Sequence, residues 1–379
     1  MAFVLNEEQT LVRDTARAFL ADNAPVAHLR QLRDRRDADG FSRALWKKFA
    51  ELGFCGILVP EALGGSSLGY VEAGLVMQEI GRNLTPSPFL STALVGATAL
   101  LRDGNKARND ELLPKLAAGD LLLALAVDEH TKHAPSATAL KAERSGNGFA
   151  LTGDKCFVAD GHVADFLIVA ARSAGAPGET DGITLFLVDA KAKGVETERT
   201  VMVDAHNAAR IKFNRVAVDA DAVIGEVDRG WALLEGVLNV GRAAVAAELA
   251  GVGEGAFGRT LSYLKDRKQF GQPLGSFQAL QHRAAHLFTE LEITQAAVLK
   301  ALQVLDADFD RAAMIVAVAK ARAGMSTTLA VQEAVQMHGG IGMTDEFDIG
   351  FFMKRARVGA ELFGDAGFHA DRIARARNY

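Results

Sequence analysis

Residues 263–281 read YLKDRKQFGQPLGSFQALQ, and the parsing of this stretch sets the architecture on either side of it. It closes one long helical pattern and opens another, because Gly271, Pro273, Gly275 and Ser276 interrupt the periodicity. Arg267, Lys268, Gln269 and Phe270 therefore stand at a helix end beside a turn. Two readings fit them. Arg267 offers a planar fork of permanently charged donors and Phe270 a ring face, a combination suited to a phosphate with a stacked base. In the other reading, cations complement the dipole of a helix C-terminus and Phe270 fills the core.

Helical patterns continue on both sides of this break. Residues 231–267, 277–305, 311–338 and 345–362 give four segments, the pattern of an antiparallel bundle. Gly251, Gly253 and Gly255 fall inside the first, where each costs about 1 kcal/mol against alanine. Close helix packing or a subunit contact is the expected compensation. Upstream, residues 121–224 change to short, β-branched apolar runs separated by Gly, Asp and Asn. Strands are expected at 121–127, 149–151, 157–158, 166–170, 183–188 and 209–218, as a small antiparallel barrel or sandwich. The first 120 residues are helical in pattern. Asn6 caps a helix with Leu11, Val12, Ala16, Phe19 and Leu20 on one face, and residues 41–52, 70–82 and 89–101 repeat the periodicity around a Pro/Gly/Ser loop at 57–69.

Composition excludes several classes. A chain of 379 residues has room for two or three cores, and 49% hydrophobic with 23% charged residues is ordinary for a soluble protein. The net charge of −5 and the scattered cations give no case for nucleic acid. The densest basic run, residues 30–36, is interrupted by Asp34 and reads as a solvated helix or loop. Cys55 and Cys156 lie far apart without metal-like neighbours, which points to reduced core thiols and no metal site. Glu7 and Glu8 occupy the place where a secretory leader needs positive charge, and the longest apolar run, 121–127, is too short to span a bilayer. A cytoplasmic protein, with no membrane partner, is the expectation.

Residues 267–278 resemble the Arg-x-Gln-Phe-Gly-x-Pro-x-x-x-Phe-Gln signature of the acyl-CoA dehydrogenase family, FAD enzymes that desaturate acyl-CoA thioesters. A second string, QMHGGIG at 336–342, resembles that family's companion motif in the right order and at the right separation, and Val59, Pro60, Glu61, Gly64 and Gly65 resemble its first loop. The resemblance covers nearly the whole chain and is weakest between about residues 126 and 162. It implies an α+β fold: an N-terminal all-α domain at 1–120, a central small antiparallel β domain at 121–227 and a C-terminal four-helix bundle at 228–379. It further implies FAD contacts from Arg267, Gln269, Phe270, Phe277 and Gln278, and from Gln336, Gly339 and Gly340 of a neighbouring subunit. Arginine neutralises pyrophosphate, and glycines let backbone N–H groups approach it. His338 reads as a packing residue. A tetramer, built as a dimer of dimers, is implied, as are an acyl-CoA substrate, an electron-transfer flavoprotein and a place in β-oxidation.

The family chemistry needs a base for the α-proton, a hydride acceptor and donors to the thioester carbonyl. Here the chain departs from the pattern. Ungapped alignment on the Gly-Gly strings puts Leu362, Phe363, Gly364 and Asp365 over the family's Tyr-Glu-Gly-Thr, so Phe363 replaces the glutamate base; a shift of one puts Gly364 there. At the family's alternative base position Gly241 precedes Arg242, which itself matches, 25 residues before Arg267. Asp365 is the first candidate base, followed by Glu248 and Glu361. In the β region the resemblance implies backbone contacts to the flavin from Val127, Phe157 and Ala159, with Phe157 covering a ring face and the family's threonine hydroxyl lost at Ala159. Asp128 and Glu129 are expected to add negative charge there.

Three readings follow. The first is an active α,β-desaturase with a relocated base. The second is a catalytically silent, flavin-holding subunit of a heteromeric dehydrogenase, and the third an oxidase or monooxygenase on the same fold. Gly241, Ala243 and Ala244 hint at room for a bulky or branched acyl group.

Overall fold

Asn6 begins the fold with a reciprocal cap: its side chain accepts from the Gln9 N–H at 2.7 Å while the Gln9 side chain accepts from the Asn6 N–H at 3.1 Å. The computed structural model describes residues 4–379, so residues 1–3 of the stretch weighed as a leader lie outside the described residues. In chain order the helices are α1 (Glu7–Asn23), α2 (Val26–Arg35), α3 (Arg43–Glu51), α4 (Tyr70–Asn83), α5 (Ala97–Asp103), α6 (Lys106–Ala117), α7 (Trp231–Asp266), α8 (Gln278–Ala307), α9 (Ala313–His338), α10 (Ile349–Glu361) and α11 (Ala366–Ala376). The strands are β1 (Leu123–Ala126), β2 (Lys141–Ser145), β3 (Gly148–Ala159), β4 (Phe166–Arg172), β5 (Ile183–Asp189), β6 (Val195–Val201), β7 (Asn207–Val218), β8 (Val223–Ile224), β9 (Lys268–Gln269) and β10 (Gln272–Pro273). They form a helical N-terminal region, a small central β domain and a helical C-terminal region. By contacts the chain divides into two compact units, and the boundary falls within α7.

The first unit holds the described residues up to Asp34, with Tyr70–Thr85 and Arg242–Tyr379. The four helical patterns expected after residue 230 appear as α7 to α10, and a fifth helix, α11, follows. Helix α9 is long and apolar enough to cross a bilayer by length and composition alone. Its apolar character has a local cause, because Val316, Ala319, Ala323, Ala330 and Ala334 are buried and α8, α10 and α11 pack on it. Helix α4 meets α7 backbone to backbone: a Cβ on Gly251 would overlap the Gln78 carbonyl oxygen, and one on Gly81 the Glu248 carbonyl oxygen. Gly255 has Phe352 at 2.7 Å from the same hypothetical atom, so the helix packing expected of these glycines is present. The basic run closes α2 with Gln31, Asp34, Arg35 and Arg36 exposed, as expected of a solvated helix, but two of its arginines are engaged. Arg30 and Arg33 stack over the Phe351 ring at 4.7 and 4.8 Å, Arg30 pairs with Asp348 at 3.0 Å, and Arg33 pairs with Asp345 at 2.6 Å.

The second unit, Arg35–Gly69 with Pro86–Gly241, is built on an eight-stranded sheet in the order β6-β7-β3-β2-β4-β5-β8, with β1 added on β4. Most pairs are antiparallel, but β1 runs parallel to β4, a correction to the wholly antiparallel expectation. A parallel strand is covered on both faces, which is why Leu123–Ala126 reads as a continuous buried run. One cover is the π-helical turn Phe89–Gly96, whose Thr92 hydroxyl donates to the Leu123 carbonyl at 3.1 Å and accepts from its N–H at 3.0 Å. Residues 149–151 and 157–158, read as two strands, belong to the single β3. A left-handed Gly153 and a one-residue bulge between Lys155 and Val158 break its pattern. Cys55 is a buried thiol, its pKa pushed up by desolvation. Cys156 is not the core thiol expected: it is half-buried on β3, with its Sγ 3.3 Å from the His130 carbonyl oxygen.

Gly251→Ala is expected to lower the unfolding free energy by about 1–3 kcal/mol, because the α4–α7 contact has no room for a methyl group. Gly258→Ala, on the same helix with nothing within 4 Å of the added atom, is expected to raise it by about 0.5–1 kcal/mol. Denaturant unfolding of the two variants checks both signs.

Candidate functional site

Helix α10 ends at Glu361 and α11 begins at Ala366, and the chain between them turns through left-handed Phe363 (φ 58°) and Gly364 (φ 105°). This loop is the stretch expected from the sequence to stand in for the family's base-bearing string, and it is held from below. Arg242, fully buried on α7, donates from Nε to the Phe363 carbonyl at 3.3 Å and lies 5.6 Å from the centre of the Phe368 ring. Lys320, 1% exposed on α9, donates from Nζ to the carbonyls of Ala360 and Gly364, each at 3.0 Å. Sequence reasoning missed Lys320. Its signal was a cation entering an otherwise apolar run, AMIVAVAK at 313–320, two residues before Arg322.

The three candidate carboxylates have separate engagements. Asp365 is the N-cap of α11, its Oδ1 accepting from the Phe368 N–H at 2.8 Å, and it is half-buried at the edge of the loop. Glu361 pairs with Arg357 one turn away at 3.0 Å. Glu248 is 2% exposed and takes both ends of Arg355, Nε to Oε1 and Nη2 to Oε2, at 2.7 Å each. That geometry corrects the reading of Glu248 as a base. Both oxygens of this buried carboxylate are taken by one guanidinium, and removing either partner would leave the other buried and unmatched.

In the same unit, β9 and β10 form a two-residue hairpin whose turn, Phe270–Gly271, has both residues left-handed (φ 54° and 79°). A bulky residue in that conformation is strained. Phe270 is nevertheless 88% exposed, which removes the reading that it fills the core. Its ring meets Phe277 edge-on at 6.2 Å, beside exposed Arg267, Gln269 and Gln278. At the end of α9, Gln336, Gly339 and Gly340 are exposed, and a Cβ on either glycine would meet nothing within 4 Å. Exposed guanidinium, ring face and open backbone suit a dinucleotide with a pyrophosphate. His338 packs between Tyr263 and Phe347, at 4.4 and 4.7 Å between ring centres, and burial lowers its pKa.

On the β unit, the bulge turns Phe157 outward at φ 51° with 38% exposure, and Ala159 pairs with Ala208. Val127 points inward, and its carbonyl accepts from Lys155 Nζ at 2.8 Å. The two acids after it are not loose charges. Asp128 binds His133 Nδ1 at 2.9 Å, and Glu129 accepts from the backbone of Ala139 and Leu140 and from Lys155 at 2.7 Å. They brace residues 128–140 from within, so the negative charge expected there is engaged by Lys155, by backbone N–H groups and by the His133 ring.

Three sequence profiles match the chain: "Acyl-CoA dehydrogenase, N-terminal domain" over residues 6–120, "middle domain" over 127–216 and "C-terminal domain" over 228–377. The chain is 31% identical to a mitochondrial isovaleryl-CoA dehydrogenase from Pongo abelii, over 93% of its own length and 85% of that protein's. Among solved structures it resembles a variant of the Tcur3481-Tcur3483 steroid ACAD (31% identity, TM-score 0.89, 98% of each chain). It also resembles the ChsE4-ChsE5 complex from Mycobacterium tuberculosis (25% identity, TM-score 0.90, 100% of this chain and 99% of that one).

Arg355→Met leaves the Glu248 carboxylate buried without its partner and is expected to cost about 3–5 kcal/mol in unfolding experiments. Adding Glu248→Leu to that variant is expected to restore most of the loss.

Proposed function

The chain belongs to the acyl-CoA dehydrogenase family, and on that premise we propose that it catalyses FAD-dependent α,β-dehydrogenation of an acyl-CoA thioester and hands the electrons to an electron-transfer flavoprotein. The observation that carries the reading is the support of the 361–365 loop: Arg242 and Lys320 hold its backbone and so fix Asp365 at its end. Asp365, fixed at the start of α11, is assigned the α-proton. FAD, when bound, supplies the hydride acceptor. Arg267 and Gln269 would bind its pyrophosphate side, Phe270 and Phe277 would give it a stacking edge, and the backbone at Gly339 and Gly340 is open to it. On the β unit Phe157 presents a ring face, and Val127 is left to contribute through its amide. The small residues Gly241, Ala243 and Ala244 on α7 favour a branched or bulky acyl group, in keeping with the isovaleryl and steroid names of the two relatives that are 31% identical.

A second reading is favoured by a specific observation. Phe363 is buried in the base position, Glu248 is locked by Arg355, and one structural relative is a complex of two related chains. In that reading this chain holds flavin in a mixed tetramer, and the sibling chain supplies the base.

Anaerobic titration of the purified holoprotein with isovaleryl-CoA, straight-chain acyl-CoAs and a steroid side-chain acyl-CoA separates the two. Bleaching of the flavin absorbance by any of them is the expected result, and Asp365→Asn is expected to abolish it with flavin still bound. Bound flavin that no acyl-CoA reduces sinks the desaturase reading and favours the subunit one. Arg267→Ala is expected to lower the flavin retained through gel filtration at least about tenfold in affinity, the scale of a lost charge-assisted contact; undiminished flavin rejects the placement of the pyrophosphate.

A further inference from the structure

The loop at 361–365 has more carbonyl groups facing inward than its own backbone can satisfy. Ala360 lies in the last turn of α10, where helix carbonyls have no intrahelical partner, and Phe363 and Gly364 turn through left-handed conformations. Those three carbonyls are taken by two cations from two other helices, Arg242 of α7 and Lys320 of α9. Lys320 is the one that spans the loop, with one bond to the helix before it and one to the residue immediately before Asp365. On the far side, a Cβ on Gly364 would run into the Phe368 ring, so the turn is fixed from above as well.

We propose that Lys320 is the positioning residue of this loop: by tying the Ala360 and Gly364 carbonyls to α9, it sets where Asp365 stands at the start of α11 and so governs removal of the substrate α-proton. The inference rests on the desaturase reading for its catalytic half. Its structural half stands on the contacts alone.

The charges around Lys320 agree with a role through hydrogen bonds. Burial pushes its pKa down to about 7, the nearby Arg242 pushes the same way, and Asp365 at the start of α11 with Glu361 at the end of α10 pull against them. A neutral amine keeps two N–H groups, one for each carbonyl, so the tie survives loss of the proton. The folded pKa lies below the ordinary value of 10.5, so the unfolded chain holds the extra proton between about 7 and 10.5. Stability from this group therefore rises with pH through that window and is lost as pH falls toward 7.

The test is hydrogen–deuterium exchange on the FAD-loaded protein, wild type against Lys320→Met, with flavin reduction measured on the same samples. Exchange in residues 361–368 is expected to quicken by about tenfold or more while α8 and the body of α9 keep their protection. The rate of flavin reduction at saturating acyl-CoA is expected to fall by a similar factor with KM within about twofold, and Lys320→Arg to recover much of both. The rise of stability between pH 7 and 10.5 is expected to flatten in Lys320→Met. Unchanged exchange at 361–368, or exchange that quickens equally throughout the bundle, overturns the proposal. Should Lys320→Met not fold, Lys320→Leu, which also removes both N–H donors, carries the same comparison. If no acyl-CoA reduces the wild-type flavin, the desaturase reading fails, and the exchange result still decides whether Lys320 holds the loop.

Discussion

The helical unit depends on how closely α7 lets other chains approach it. Gly81 of α4 lies against the Glu248 carbonyl and Gly251 of α7 against the Gln78 carbonyl, so two helices share a contact in which neither has a side chain. At that separation few side chains fit between them, and those present are set by the space that remains. Glu248 reaches out of the contact to Arg355, and Arg242, seven residues upstream of Leu249, reaches the loop after α10. The glycines that look like defects in a 36-residue helix are what allow it to act as the spine of the unit.

Charge inside this unit is met in two ways. Glu248 and Arg355 neutralise each other, an arrangement costly to break from one side. Arg242 and Lys320 are met by backbone carbonyls, which carry partial negative charge and, at the end of α10, the negative pole of the helix. A cation held by carbonyls stays where the main chain puts it whatever side chain the loop carries. The support of the 361–365 loop therefore does not depend on the side chain at Phe363.

The helices were legible because their apolar spacing and caps are local properties. Asn6 with Gln9 announces α1, and the Gly-Pro break at 271–273 marks the hairpin between α7 and α8. The strings at 267–278 and 336–342 stood out because each is short and continuous. Asp365 carries a second signal, a cap three residues before Phe368, and weighing it chiefly as a candidate base left α11 unannounced. Glu248 and Arg355 are 107 positions apart, and Asp128 finds His133 only once residues 128–140 fold back, so no spacing in the chain reveals that these acids are spoken for. Strands β2 and β6, KAERS and VETERTV, bury little on either face and gave no alternation to detect.

Strand β6 owes that obscurity to its place in the sheet. It is the last strand on its side, paired with β7 alone, so its outer row of N–H and C=O groups is open to water. An open row of this kind invites another chain to add itself as the next strand. Exposed Glu196 and Glu198 make such an addition costly, because an incoming strand would strip water from their charges. The residues that conceal the strand from a reader of the sequence are thus the ones that discourage edge-to-edge pairing.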